Sequence, residues 1–86
     1  MDEYEITFAR SARRELERME RSLTVRILTR IEELAVEPRP PGCRKLQGGG
    51  DLWRIRVGDY RVLYSIDDDQ RLVDIVAVRH RRDVYR

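Results

Sequence analysis

Four short segments of this chain have the patterns of β-strands. In the first three, apolar and polar residues alternate with a period of two, and the last is more continuously apolar, as in a strand buried on both faces. The first segment is Tyr4–Phe8. The other three follow one another in the second half, at Leu52–Val57, Tyr60–Ile66 and Leu72–Val78. We therefore expect one strand near the start of the chain and three near its end.

Between the first strand and the others, apolar residues recur every three or four positions, which is typical of amphipathic helices. The pattern predicts one helix over Ala9–Met19, with Ser11 capping its start, and a second over Ser22–Val36. Pro38 should end the second helix, since the residue before a proline avoids helical geometry. The short break between the two segments favours an antiparallel helix hairpin.

The predicted order of elements is βααβββ, which indicates an α+β fold. We expect the helix hairpin to pack on one face of a mainly antiparallel four-stranded sheet, with a short basic tail after the last strand. No internal repeat or change of composition divides the chain, so residues 1–86 are expected to form one domain.

The two-residue turn at Gly58–Asp59 fixes how the neighbouring strands pair, because this turn length sets the register of a hairpin. Arg56 then lies opposite Arg61, and alternation brings Arg54 to the same face. The other face carries the residues that suit packing against the helices, namely Trp53, Ile55, Val57, Tyr60, Val62 and Tyr64.

Arginines directly opposite each other repel, and no acidic residue of these strands alternates onto their face. Either they keep a solvated strand face soluble, or they form a site for phosphate groups, which the guanidinium fork matches. The tail favours the second interpretation. It leaves the last strand near the start of the preceding one, so Arg81, His80 and Tyr85 are expected to join the same pocket.

The charge distribution changes this picture only slightly. The net charge is +2, but residues 1–37 have nine acids and seven arginines, whereas residues 38–86 have eleven bases and seven acids. A basic second half fits an anionic partner. Lys45 is the only lysine among the 18 basic residues, and codon bias or thermal adaptation also produces such a preference for arginine.

Several classes of protein are disfavoured by composition. No apolar run approaches the ~20 residues that a membrane-spanning helix needs, and the acidic start Met1–Glu5 differs from a signal peptide. Cys43 is the only cysteine, which excludes an internal disulfide and a cysteine-based metal site. We expect a cytoplasmic protein with no metal, no cofactor and no membrane partner.

The chain resembles the RelE/ParE superfamily of bacterial toxins, and specifically its RelE branch. The resemblance spans nearly the whole chain and rests on the order and spacing of five segments: Phe8–Leu16, Lys45–Leu46, Trp53–Val57, Gly58–Tyr64 and His80–Tyr85.

The resemblance implies a RelE-like fold, similar to microbial ribonucleases, and the toxin of a type II toxin–antitoxin system. Toxins of this branch are ribosome-dependent endoribonucleases that cut mRNA in the ribosomal A site. The 2′-hydroxyl of the RNA attacks the adjacent phosphate and leaves a cyclic phosphate. The implied partners are the ribosome with its mRNA, and an acidic RelB-like antitoxin from the same operon. Operator DNA would be contacted only through the antitoxin.

The resemblance also assigns site residues. Arg54 and Arg56 match two basic residues that the family has in the strand before the hairpin, and Arg61 matches the family's hairpin arginine. Arg81 matches the basic residue after the last strand, and Tyr85 matches the tyrosine of the tail.

The general base is left open, because the best-known RelE proteins have lysines where this chain has Arg54 and Arg56. An arginine does not give up its proton in a protein, so these two residues can stabilise charge but cannot act as bases. His80, the only histidine, is the candidate base.

Two other functions remain compatible with the same fold. One is a ParE-type toxin that poisons DNA gyrase, and the other is a nucleic-acid-binding domain without catalysis. ParE proteins generally lack the complete set of basic residues and tyrosine, so Arg61, Arg81 and Tyr85 together favour the ribonuclease.

Overall fold

The protein is described by a computed structural model that covers residues 3–48 and 50–84. The elements in chain order are β1 (Glu5–Phe8), α1 (Arg10–Arg18), α2 (Arg21–Glu33), β2 (Arg44–Lys45), β3 (Leu52–Val57), β4 (Tyr60–Asp67), β5 (Leu72–His80) and α3 (Arg81–Val84). The strands form one sheet in the order β1-β5-β4-β3-β2, in which β1 and β5 are parallel and the other pairs antiparallel. The α+β class and the mainly antiparallel sheet are confirmed.

The helix hairpin packs on one face of this sheet, as predicted, with α1 against β5 and α2 against β3. The helices bury Ala12, Leu16, Ile27, Ile31 and Leu34, whose spacing of three and four residues forms one stripe. The sheet contributes Ile55, Val57, Val62, Tyr64, Val73, Ile75 and Val78 to the same core. Burying one large aliphatic side chain stabilises the fold by about 1.5–3 kcal/mol, so this face holds most of the stability.

The sheet has one strand more than the four predicted. The additional strand, β2, pairs Arg44 with Arg54 and Lys45 with Trp53. Two residues inside a loop rich in proline and glycine are too few to show a period of two, so the pattern of the sequence gives no sign of this strand.

Two predicted details of the helices are wrong. Ser11 does not cap α1, since Ala9 occupies the N-cap position and the Ser11 hydroxyl donates to the Val76 carbonyl at 2.9 Å. The second helix ends at Glu33 rather than at Val36. After Glu33 the chain continues with hydrogen bonds between residues three apart, which tighten the last turn before Pro38.

Tyr64 connects the centre of the sheet to the loop after α2. Its side chain is fully buried, and its hydroxyl donates to the Pro38 carbonyl at 2.7 Å. Burial, together with the nearby Cys43 thiol, raises the pKa of Tyr64 well above its usual range. The hydroxyl therefore stays protonated and remains a hydrogen-bond donor at neutral pH.

Removing this hydroxyl with Tyr64→Phe should lower the free energy of unfolding by about 1 kcal/mol, because the Pro38 carbonyl loses its donor. Chemical denaturation of the full chain measures the change. Tyr60→Phe is the control, since the Tyr60 hydroxyl makes no hydrogen bond within the described residues. An equal loss in both variants would show that the bond to Pro38 contributes nothing specific.

Asp68 joins three distant segments at the surface. Its carboxylate accepts hydrogen bonds from the Tyr4 hydroxyl at 2.6 Å and from the Arg39 guanidinium at 3.0 Å. The Arg39 side chain also lies over the Trp53 ring, 5.0 Å from the ring centroid. The hydrogen bond from Arg39 and, to a smaller extent, the one from Tyr4 hold the pKa of Asp68 below its usual value.

A group whose pKa is lower in the folded state adds stability above its unfolded pKa and loses it as the pH falls. Asp68→Asn should therefore reduce the denaturation midpoint at neutral pH, and the difference from the native chain should shrink as the pH falls below about 4. Urea denaturation at several pH values measures it. A difference that is constant down to about pH 2 would contradict the role of the Asp68 charge.

Candidate functional site

The β3–β4 hairpin has the register predicted from the sequence. Val57 pairs with Tyr60, Arg56 with Arg61 and Arg54 with Leu63. The turn depends on Gly58, whose φ of +60° lies in the left-handed region that favours glycine. Because Ile55, Val57 and Val62 face the helices, the arginines of both strands lie on the opposite face of the sheet.

The end of this hairpin borders a cleft of about 260 Å³. The residues that line it are Arg56, Gly58, Asp59, Tyr60, Arg61 and Arg81. Arg81 begins α3, and its backbone N–H donates to the Asp59 carbonyl at 2.7 Å. This bond brings the start of the tail against the hairpin, so Arg81 reaches the cleft as the sequence predicts.

Arginines outnumber acids in the lining of this cleft, where Arg56, Arg61 and Arg81 stand against Asp59. Arg61 is only 7% exposed, although it lies on the face away from α1 and α2, while Arg56 and Arg81 are exposed beside it. In the described part of the chain, Arg30, Arg39 and Lys45 each make an ion pair with a carboxylate, whereas Arg56 and Arg81 do not. Three arginines against one carboxylate in the lining, with Arg61 nearly buried, form a site that favours an anion.

Two further arginines belong to the same face and were missed by the sequence analysis. Arg44 on β2 pairs with Arg54, and Arg79 on β5 pairs with Arg61. The arginines of this face therefore form two neighbouring rows, with Arg44 and Arg54 across β2 and β3 and Arg56, Arg61 and Arg79 across β3, β4 and β5. Arg54 lies next to the cleft rather than in its lining.

Arg79 reaches this face because of an irregularity between β4 and β5. The pairing shifts between Leu63 and Tyr64, so that Val76 is an extra residue on β5. Beyond such a bulge the alternation of β5 against β4 is displaced by one residue. Arg79 thus lies across from Arg61, and His80 across from Tyr60.

His80 is therefore directed to the opposite face from the arginines. Its ring meets the Tyr60 ring edge-on, with centroids 5.1 Å apart and an angle of 88°. Its Nδ1 accepts a hydrogen bond from the Arg82 backbone N–H at 3.2 Å. His80 does not line the cleft, so the structure does not bring the candidate base to the arginines. Tyr85, the other tail candidate, lies outside the described residues.

The arrangement is suited to holding a phosphate and stabilising negative charge on it, since charge-assisted bonds from arginine are strong and directional. Residues 3–48 and 50–84 contain no group of three or more histidines, cysteines or acids that could hold a metal ion. Among the helices of this described region, none combines the length and hydrophobicity that crossing a bilayer requires.

Comparisons with known proteins identify the family of this chain. Residues 6–85 match the family described as the ParE toxin of the type II toxin–antitoxin system, parDE. The toxin RelG of Mycobacterium tuberculosis is 36% identical over an alignment of 88 residues, which covers 96% of this chain and 97% of that toxin.

Solved structures give the same result. The archaeal RelE–RelB complex from Pyrococcus horikoshii matches with a TM-score of 0.81 and 30% identity, over 94% of this chain and 97% of the matched chain. The toxin–antitoxin complex RelBE2 from Mycobacterium tuberculosis matches with a TM-score of 0.83 and 29% identity, over 93% of each chain.

Arg56 provides a direct test of the uncompensated charge. Arg56→Gln should raise the free energy of unfolding by about 0.2–1 kcal/mol at low salt, because it removes the repulsion across the strand pair from Arg61. Added salt should reduce the gain, since exposed charges are screened. Arg30→Gln, which removes an ion pair with Glu33, is the control and should not stabilise the protein. A loss of stability in Arg56→Gln would contradict the repulsion between Arg56 and Arg61.

Proposed function

The chain belongs to the RelE/ParE family of toxins from type II toxin–antitoxin systems, and we propose that it acts as a ribosome-dependent endoribonuclease on mRNA. The observation that carries the proposal is the cleft in which Arg56, Arg61 and Arg81 meet. Three guanidinium groups around one small cavity match the geometry and charge of an RNA phosphate.

In the proposed reaction the 2′-hydroxyl of one nucleotide attacks the adjacent phosphorus atom. A bond from the 2′-oxygen to phosphorus forms and the bond to the 5′-oxygen of the next nucleotide breaks. The leaving 5′-oxygen takes a proton from water, so the products have a 2′,3′-cyclic phosphate and a 5′-hydroxyl. Arg56 and Arg61 bind the non-bridging phosphate oxygens, whose negative charge grows during the attack. Arg81 faces the leaving 5′-oxygen, and Arg54 binds the chain next to the cut.

The proton of the 2′-hydroxyl needs an acceptor that the arginines cannot provide. His80, the candidate from the sequence, has its ring against Tyr60 and not in the cleft. We propose that the ribosome–mRNA complex provides the geometry and the proton acceptor, so that the isolated chain has little activity on free RNA. Tyr85 is proposed to position the nucleotide by stacking on its base.

The partner that restrains this activity is proposed to be an acidic, RelB-like antitoxin. The related toxin structures from Pyrococcus horikoshii and Mycobacterium tuberculosis were solved as complexes with their antitoxins. A segment rich in carboxylates would neutralise the arginines on this face of the sheet and exclude RNA from the cleft. Contact with operator DNA is proposed to occur through the antitoxin alone.

A second candidate function follows from the family description itself, because the matching family is named for ParE. In this alternative the chain poisons DNA gyrase and the arginines contact a protein or DNA. The two functions differ in what happens in a growing cell, so one experiment distinguishes them.

Induction of the chain in growing cells should arrest growth and produce mRNA cuts in phase with codons. Mapping of mRNA ends measures this. Arg61→Glu and Arg81→Glu should each reduce cleavage by about 100-fold or more, the loss that removing one transition-state donor causes. Arg14→Glu is the matched control with unchanged cleavage, because Arg14 is exposed on α1 on the other side of the sheet.

Other outcomes would overturn the proposal. DNA damage without mRNA cuts would support a gyrase poison, and growth arrest with neither effect would support a domain that only binds nucleic acid. Full cleavage by Arg61→Glu or Arg81→Glu would remove the arginine cleft from the reaction.

A further inference from the structure

The tail helix α3 brings Arg81 to the cleft, yet it has only four residues, Arg81–Val84. A single helical turn does not persist by itself, because fixing its backbone costs more than its few hydrogen bonds return. The position of Arg81 must therefore come from the contacts that hold α3 against the sheet.

Two hydrogen bonds fix the start of α3. The Arg81 N–H donates to the Asp59 carbonyl at 2.7 Å, and the Arg82 N–H donates to His80 Nδ1 at 3.2 Å. The second bond has the form of a helix N-cap. A side-chain acceptor on the residue before the helix accepts from the second helical N–H, which otherwise has no partner within the helix.

The imidazole is fixed in the orientation that this bond needs. His80 pairs with Tyr60 across β4 and β5, and the Tyr60 ring supports it edge-on at 5.1 Å. For Nδ1 to accept, the ring must be neutral with its proton on Nε2. A ring that serves as a hydrogen-bond acceptor on the other face of the sheet is not available to take a proton in the cleft.

We infer that His80 is a positioning residue, which caps α3 through Nδ1 and thereby keeps Arg81 in the cleft. This inference rests on the proposed function, because it gives the capped helix its role in RNA cleavage. It makes His80 act through Arg81, without contact with the RNA. Tyr60 then contributes twice, as part of the cleft lining and as the support of the His80 ring.

Capping and general-base catalysis differ in the substitutions they tolerate. His80→Asn places the amide oxygen close to where Nδ1 lies and keeps an acceptor for the Arg82 N–H, since asparagine is a favoured N-cap residue. Asparagine cannot take a proton from a 2′-hydroxyl. His80→Ala removes both abilities, so the pair separates the two roles.

The test uses the full chain refolded from denaturant, in its native form and as His80→Ala and His80→Asn. Amide hydrogen exchange at Arg82, followed by NMR, reports the cap, and cleavage of ribosome-bound mRNA reports the reaction. In His80→Ala, exchange at Arg82 should accelerate by at least about fivefold, the size of effect that cap removal has. Cleavage should fall by a similar factor, in kcat more than in KM, because Arg81 acts on the leaving oxygen. His80→Asn should restore most of both.

Three results would contradict the inference. Exchange at Arg82 that is unchanged in His80→Ala would show that Nδ1 does not cap α3. Normal exchange but no cleavage in His80→Asn would show that His80 is the base. Faster exchange with undiminished cleavage would show that α3 need not be fixed. If the native chain cuts no mRNA at all, the proposed function fails, while the exchange rates still decide whether His80 is a cap.

Discussion

The pairing of β3 with β4 is the constraint on which the rest of the molecule depends. If β3 shifted by one residue against β4, the Arg56 side chain would point into the core and that of Val57 would be exposed, because side chains alternate between the two faces. Burial of Ile55, Val57 and Val62 stabilises the observed register by about 1.5–3 kcal/mol for each side chain. The repulsion between Arg56 and Arg61 costs only about 0.2–1 kcal/mol. The burial of the hydrophobic face can therefore hold two like charges opposite each other, where the proposed phosphate site needs them.

The same division between two faces keeps the hydrophobic core apart from the proposed site in a chain of 86 residues. The helix-covered face contains the core, and Tyr64 anchors the loop after α2 to it through the Pro38 carbonyl. The opposite face of the sheet is not covered by α1 and α2, so arginines can occupy it without disturbing this core. The hydrogen bond from the Arg81 N–H to the Asp59 carbonyl then holds the start of the tail against the hairpin. Hairpin residues and Arg81 therefore line the same cleft.

The arginine face could be predicted from the sequence, because a two-residue turn and strict alternation leave one register for the hairpin. The positions of Arg44 and Arg79 on this face could not be predicted. Arg44 joins through β2, a pairing of two residues that forms only in the folded protein. The faces on which Arg79 and His80 lie depend on the bulge at Val76, which exchanges the two faces for the residues after it on β5. No local sequence pattern predicts this bulge. Ser11 failed as a helix cap because α1 begins directly after β1, at Arg10.

Guanidinium groups from the hairpin and the tail are proposed to bind one RNA phosphate together. A titration of the full chain with a short RNA, methylated at the 2′-oxygen so that it cannot be cut, measures this through the NMR signals of the arginine Nε–H groups. The signals of Arg56, Arg61 and Arg81 should move along one binding curve, while that of Arg14 on α1 stays in place. Equal movement of all four, or no movement of the cleft arginines at saturation, would contradict the claim.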